Sequence, residues 1–159
     1  MNILIPLGGK GERFLKEGFV DPKPLIKVFN KTMVEHVIDN LTFKEDDKIF
    51  IIYNKYLNEY NFCEYIKNKY PFIELVELEK DTSGAAETVC IGLHYILQNL
   101  EHNKKTILLD CDTFYTEDVL ELFRKVECNA VFYIKKENEA PIYSYIQLDN
   151  NMKIIKIAE

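Results

Sequence analysis

The chain has 159 residues, 47% of them hydrophobic, with a formal net charge of −6, which is enough for one domain with a full core and too little for two. The longest apolar runs, Ile49 to Tyr53 and Thr106 to Leu109, fall far short of a membrane span, and the N-terminus lacks the basic-then-apolar form of a secretory signal, so a cytoplasmic protein without membrane segments is expected. Four widely spaced cysteines with no C-x-x-C pair speak against a zinc site or a disulfide framework.

In chain order, residues 2–7 form a short apolar run that ends in glycines, too brief for a helix and therefore a buried strand. A long glycine- and lysine-rich loop is expected next. Thr32 and Glu35 make a capping box, and Met33, Val34, Val37, Ile38 and Leu41 follow at helical spacing. Residues 48–53 read as a second strand, 56–69 as a tyrosine-rich amphipathic helix stopped by Pro71, and 72–78 as a third strand. After the polar turn 79–84, a helix over 85–100 carries a stripe of Ala85, Val89, Leu93, Ile96, Leu97 and Leu100, weakened at Gly92 by about 1 kcal/mol relative to alanine. A fourth strand over 106–110, a helix over 117–126 capped by Thr116, a fifth strand over 130–134 and a hairpin of 143–148 with 153–157 complete the series.

Strands and helices that alternate from residue 2 to residue 134 argue for an α/β protein with a mostly parallel sheet covered on both faces. In such folds ligands bind beyond the carboxyl ends of the strands, near a topological switch point. Gly8 to Gly11 and Asp110 to Asp112 both fall at predicted strand ends. Residues 1–31 carry Lys10, Arg13, Lys16, Lys23, Lys27 and Lys31 against Glu12, Glu17 and Asp21, a local +3 on a chain whose remaining residues sum to −9. A glycine turn that frees backbone N–H groups, followed by fixed cations, suits a small, highly charged anion. DNA would require a broad basic face, so no nucleic-acid partner is expected. Gly8-Gly9-Lys10-Gly11-Glu12 does not fit the P-loop pattern, and Gly9 to Phe14 lacks the third glycine of a dinucleotide fingerprint.

Gly8-Gly9-Lys10-Gly11-Glu12-Arg13, Pro22-Lys23-Pro24-Leu25 and the turn Asn30-Lys31-Thr32-Met33 together resemble the nucleotidylyltransferases that make nucleoside-diphosphate sugars and related activated metabolites, with Thr32 in place of that family's usual proline. Thr82-Ser83-Gly84-Ala85-Ala86 looks like the family's base-contacting turn, Asp110-Cys111-Asp112 like its metal-binding strand end, and Tyr145 to Glu159 like its strand-turn-strand. The resemblance implies a Rossmann-like three-layer α/β/α nucleotidyltransferase fold with a mostly parallel mixed sheet. It also implies attack by an acceptor phosphate on the α-phosphorus of a nucleoside triphosphate, with loss of pyrophosphate. Leu7, Gly8, Gly9, Lys10, Gly11, Thr82, Ser83, Gly84, Ala85 and Asp110 would then contact the nucleotide, Arg13 would hold the triphosphate and developing pyrophosphate, Lys23 would bridge the α-phosphate and acceptor phosphate, and Asp112 would coordinate Mg²⁺.

The Gly18 to Leu25 stretch departs from the form common in glucose-1-phosphate thymidylyl- and uridylyltransferases and is similar to cytidylyltransferases of capsule biosynthesis that activate phosphoglutamine for capsular phosphoramidate, so CTP and phosphoglutamine are the expected substrates. Alternatives are a sugar-1-phosphate nucleotidylyltransferase, a D-x-D glycosyltransferase and a non-catalytic nucleotide sensor. Family members continue past the point where this chain stops at Glu159, so a single nucleotidyltransferase domain with an incomplete acceptor site is expected. Oligomeric state is not readable from the sequence.

Overall fold

A computed structural model describes residues 1–99, 104–135 and 144–158. The chain divides into two compact units, Met1–Val126 and Glu127–Glu159.

In the first unit, strands β1 (Asn2–Leu7), β4 (Lys48–Asn54), β5 (Glu74–Leu78) and β6 (Thr106–Leu108) form one wholly parallel sheet in the order β5-β4-β1-β6. Parallel strands buried on both faces read as continuous apolar runs, as in β1 and β4. Pleating sends Ile3, Ile5, Leu7, Ile49, Ile51 and Ile107 to one face. There they pack on α2 (Met33–Asp39), α3 (Phe62–Lys69) and α5 (Val119–Arg124) through Val34, Val37, Phe62, Ile66 and Leu120. Leu4, Phe50, Ile52, Val76 and Leu78 face the other way, against α4 (Ala85–Asn99). The unit is therefore the three-layer α/β/α sandwich that the alternating elements imply. The chain winds outward from β1 to β4 and β5, then crosses back to β6 on the other side, so the topological switch point lies between β1 and β6.

The capping box of α2 forms as its residues require: the Glu35 N–H donates to Thr32 Oγ1 and the Thr32 N–H to Glu35 Oε2. Other elements differ from the sequence expectation. The loop after β1 holds a short helix, α1 (Glu12–Lys16), and a 3-10 turn, Lys23–Leu25. Between them and α2, β2 (Lys27–Val28) pairs with β3 (Lys31–Thr32) around Phe29 and Asn30, both at positive φ. The helix expected over 56–69 is broken at Asn61, whose left-handed φ of 54° separates a 3-10 stretch, Lys55–Tyr60, from α3. Helix α5 starts at Val119, not after Thr116, because Asp118 accepts from the Glu121 N–H at 2.9 Å and supplies the better cap.

The buried face of α4 also differs, running through Thr88, Gly92 and Ile96, while Ala85 and Leu97 are exposed and Leu100 lies outside the described residues. Gly92 is the reason the helix sits so close to the sheet. A Cβ there would lie 2.7 Å from Ile52 Cγ1 and 2.9 Å from Leu4 Cδ1.

In the second unit, β7 (Tyr145–Leu148) and β8 (Ile154–Ala158) form the expected antiparallel hairpin, with residue 143 outside the described residues. Residues 130–134 do not form a strand among the described residues, and Val131 and Ile134 are exposed. An apolar β-prone run marks a segment able to pair but does not supply its partner.

Candidate functional site

Beyond the carboxyl end of β1, between its glycine loop and the turn after β5, lies a cleft of about 540 Å³. Gly8, Gly9 and Gly11 line it from the end of β1, Arg13 and Phe14 from α1, Lys23 from its 3-10 turn, and Asp81 and Thr82 from the turn after β5. The sequence expectation that the glycine loop, Arg13, Lys23 and the 82–86 turn meet in one place is thus realised through Thr82. Leu7 is buried in the core, so only its main chain reaches the strand end. Ser83, Gly84, Ala85, Asp110 and Asp112 are exposed outside the cleft wall, Asp112 being linked to it through Lys23.

Two of the glycines are required by local geometry. Gly8 lies so close to α4 that a Cβ would stand 2.1 Å from Thr88 Oγ1 and 3.0 Å from Thr82 Oγ1. Gly11 has φ 67° and caps α1, and a Cβ there would touch that of Lys23 at 3.0 Å. The main chain of this loop therefore passes close to both the α4 terminus and the lysine turn, leaving its other side to the cleft.

Lys23 is held between prolines in a turn closed by the Leu25 N–H donating to Pro22 O at 2.8 Å, with Pro24 buried beneath it. Its ammonium reaches Asp112 Oδ2 at 2.6 Å and lies 5.7 Å above the centroid of the Phe14 ring. Phe14 in turn packs edge-to-face on Phe19, with centroids 5.6 Å apart. Asp112 is placed from the opposite side of the switch point. Cys111 between the two aspartates is buried in the core, and burial pushes its thiol up to about 11, so it serves as an anchor and not a nucleophile. The Tyr115 hydroxyl accepts from the Asp110 N–H at 3.2 Å, and Asn40 Nδ2 donates to Tyr115 O, which ties this loop to α2. The Arg13 guanidinium is exposed and has no ion-pair or hydrogen-bond partner among the described residues, leaving it free for an anion.

Mg²⁺ takes hard oxygen donors and commonly needs only one or two carboxylates beside substrate phosphates and water. Asp112, with Asp110 two residues away, fits that demand. No group of three or more His, Cys, Asp or Glu side chains able to hold a metal occurs among the described residues.

Three residues of the site escaped the sequence reading. Asn54, buried at the end of β4, donates from Nδ2 to Gly8 O at 3.2 Å and to Asp81 Oδ1 at 2.8 Å, and accepts from the Tyr56 N–H at 3.2 Å. Asp81 also takes the Lys10 ammonium at 2.5 Å. The Asn54 hydrogen bond and then Lys10 hold the Asp81 carboxyl below its ordinary range, and Asp81 raises Lys10 above its own. Thr88, buried in α4, pairs with Thr82 Oγ1 at 2.8 Å. Glu87 accepts from the Ser83 N–H at 2.6 Å and the Ser83 hydroxyl at 2.7 Å, so Ser83 serves the start of α4. A buried asparagine at a strand end was the available signal, but nothing in the local pattern says which neighbours it meets.

The family model of the nucleotidyl transferases matches residues 3–159. The chain is 26% identical over 161 residues to the bifunctional protein GlmU of Methanocaldococcus jannaschii, covering all of this chain and 36% of that protein. It is 26% identical over 162 residues to the 2-aminoethylphosphonate cytidylyltransferase of Lancefieldella rimae, covering 99% of this chain and 61% of that one. The chain thus spans roughly a third to three fifths of the length of these curated relatives. Among solved structures, a nucleoside-diphosphate-sugar pyrophosphorylase from Vibrio cholerae RC9 superposes with a TM-score of 0.73 at 20% identity over 99% of this chain and 66% of that one. The inositol-1-phosphate CTP transferase from T. maritima gives 0.69 at 17% identity over 98% and 62%. These two likenesses are of fold, and they agree with the α/β architecture described above. By the match over nearly its whole length, the chain belongs to the nucleotidyl transferase family.

Proposed function

We propose that the chain provides the nucleotide site of a nucleotidylyltransferase that transfers CMP from CTP to a phosphorylated small metabolite, phosphoglutamine for capsular phosphoramidate being the acceptor expected from the Gly18 to Leu25 stretch. The observation that carries the reading is the meeting of Lys23 and Asp112 at 2.6 Å across the switch point, beside the glycine loop and the free Arg13. Two polyanions must approach each other for this reaction, so positioning and charge neutralisation supply most of the catalysis. Lys23, carried on a turn stiffened by two prolines, receives the α-phosphate and acceptor phosphate as a point charge. Arg13 binds the triphosphate and the pyrophosphate that leaves. The backbone of Gly8 to Gly11 lies along the nucleotide. Asp112, with Asp110 beside it, would hold Mg²⁺, which when bound neutralises phosphate charge.

Support for the cytidylyl choice comes from the 2-aminoethylphosphonate cytidylyltransferase among the relatives. The test is pyrophosphate release, with and without Mg²⁺, from each of the four common triphosphates paired with phosphoglutamine, sugar-1-phosphates, phosphocholine and 2-aminoethylphosphonate, alongside calorimetric binding of each triphosphate. Release with CTP and phosphoglutamine, dependent on Mg²⁺, is expected. Release with a sugar-1-phosphate alone would move the assignment to that acceptor class, and failure to bind any triphosphate would remove it.

A further inference from the structure

The cleft is chemically asymmetric along the sheet. One end carries Lys23, whose ammonium pairs with Asp112 from the loop after β6, the phosphate and metal groups of the proposed reaction. The other end carries Asp81 and Thr82, from the turn after β5, which lies three strands from β6 in the sheet. A nucleotide whose phosphates lie at the first end places its base toward the second. Asp81 is not a loose surface acid. Asn54, only 2% exposed, has both Nδ2 protons engaged, by Gly8 O and Asp81 Oδ1, and its Oδ1 engaged by the Tyr56 N–H. Its orientation is therefore fully determined, and it holds the Asp81 carboxylate from below with one oxygen while Oδ2 faces Lys10. The other carboxylate on the cleft wall, Glu12, has no hydrogen-bond partner among the described residues.

The bond between Asp81 and Lys10 is the replaceable one. Both side chains are about half exposed, at 58% and 49%, and exposed ion pairs contribute only about 0.2–1 kcal/mol. An entering triphosphate, more highly charged than a single carboxylate, competes with Asp81 for Lys10. What remains at the β5 end is an anchored acceptor with no proton to give. Cytosine presents an amine at position 4 and uracil a carbonyl at the same place, so a carboxylate there attracts the first and repels the second.

We propose that Asp81 is the specificity-determining residue of this cleft, accepting a hydrogen bond from the 4-amino group of a cytosine base and rejecting the 4-keto group of uracil or thymine. The inference rests on the proposed nucleotide site, and deepens it. Its test is calorimetric binding of CTP and UTP, which differ at the edge in question, to the wild-type chain and to the Asp81→Asn and Asp81→Ala variants. Wild type is expected to prefer CTP at least about tenfold. Asp81→Asn keeps an oxygen for Asn54 but turns an amide N–H toward the base, and is expected to lower the CTP-to-UTP affinity ratio at least about tenfold. Asp81→Ala is expected to bring the ratio within about threefold of unity. Lys10→Ala, which acts on phosphates, is expected to weaken both nucleotides alike. Binding of both nucleotides with the wild-type ratio retained in both Asp81 variants, or a wild type that prefers UTP, would overturn the role of Asp81 while leaving the nucleotide site standing. Binding of neither by the wild type would overturn both.

Discussion

Gly8→Ala is the sharpest perturbation the cleft offers. The added Cβ would stand 2.1 Å from Thr88 Oγ1, whereas non-bonded carbon atoms settle at about 3.5–4.0 Å. Thr88 has no easy escape. Its χ1 is stiff because it is β-branched, its hydroxyl is held by Thr82 at 2.8 Å and by Gly84 O at 3.3 Å, and its methyl already lies 3.1 Å from the same point. Relief must come from moving α4 away from the end of β1, at a cost of about 1–3 kcal/mol as for other overpacked sites. Thr88→Ala alone loses buried hydrogen bonds, costing about 1 kcal/mol. It also removes both Thr88 atoms from the clash, leaving only Thr82 Oγ1 at 3.0 Å, so the double variant is expected to be less destabilised than the sum by about 1–2 kcal/mol. Urea unfolding of the four proteins, followed by circular dichroism, measures this coupling, and calorimetry with CTP shows whether affinity recovers with it. Additivity within about 0.5 kcal/mol would refute the close approach of the glycine loop to α4.

Three further outcomes are expected. Asp112→Asn and Arg13→Ala should each lower pyrophosphate release at least about 100-fold by removing charge stabilisation from the reacting phosphates, and near-wild-type rates in both would refute their roles. Gly92→Ala, which helix propensity alone would favour by about 1 kcal/mol, should instead destabilise the fold by about 1–3 kcal/mol because its Cβ meets Ile52 and Leu4; denaturant midpoints decide the sign. Asp47 is buried, which by itself would raise its pKa, but Arg124, the Lys44 N–H and the Met1 amine hold it down to about 2. A carboxyl depressed on folding stabilises fully above its unfolded pKa of about 4 and loses that contribution as pH falls through the folded value, so stability should drop by roughly 2 kcal/mol between pH 5 and pH 1. Asp47→Asn should flatten that part of the profile measured by urea melts, and an unchanged slope would show that the cluster is not linked to folding.

Glu35 shows how far a local pattern reaches. Thr32 and Glu35 were legible as a capping box, and the box is formed. The Lys69 ammonium on the same carboxylate, which with the Thr32 N–H offsets burial and brings Glu35 down to about 2, was not legible, because Lys69 comes from another helix. The same division runs through the cleft. Gly8 to Arg13 and the Lys23 turn sit within one short stretch whose spacing already describes an anion site, and Asp112 follows a strand whose end could be read. Asn54, Asp81 and Thr88 carry no spacing signal relative to that stretch.

By itself, then, the order of residues determined the elements whose causes are local: apolar runs for β1 and β4, the Thr32 cap, the glycine loop and the alternation that makes an α/β sheet. Tertiary structure decided what depends on neighbours. The strand order β5-β4-β1-β6 brings Asp81, Asn54, Gly8 and Asp112 to one edge although the first glycine and the last aspartate are 104 positions apart. It turns Gly92 from a weak point in a helix into the place where that helix meets the sheet. Backbone preference and side-chain period act over a few residues, while packing and hydrogen bonding act between whichever groups the chain path makes adjacent.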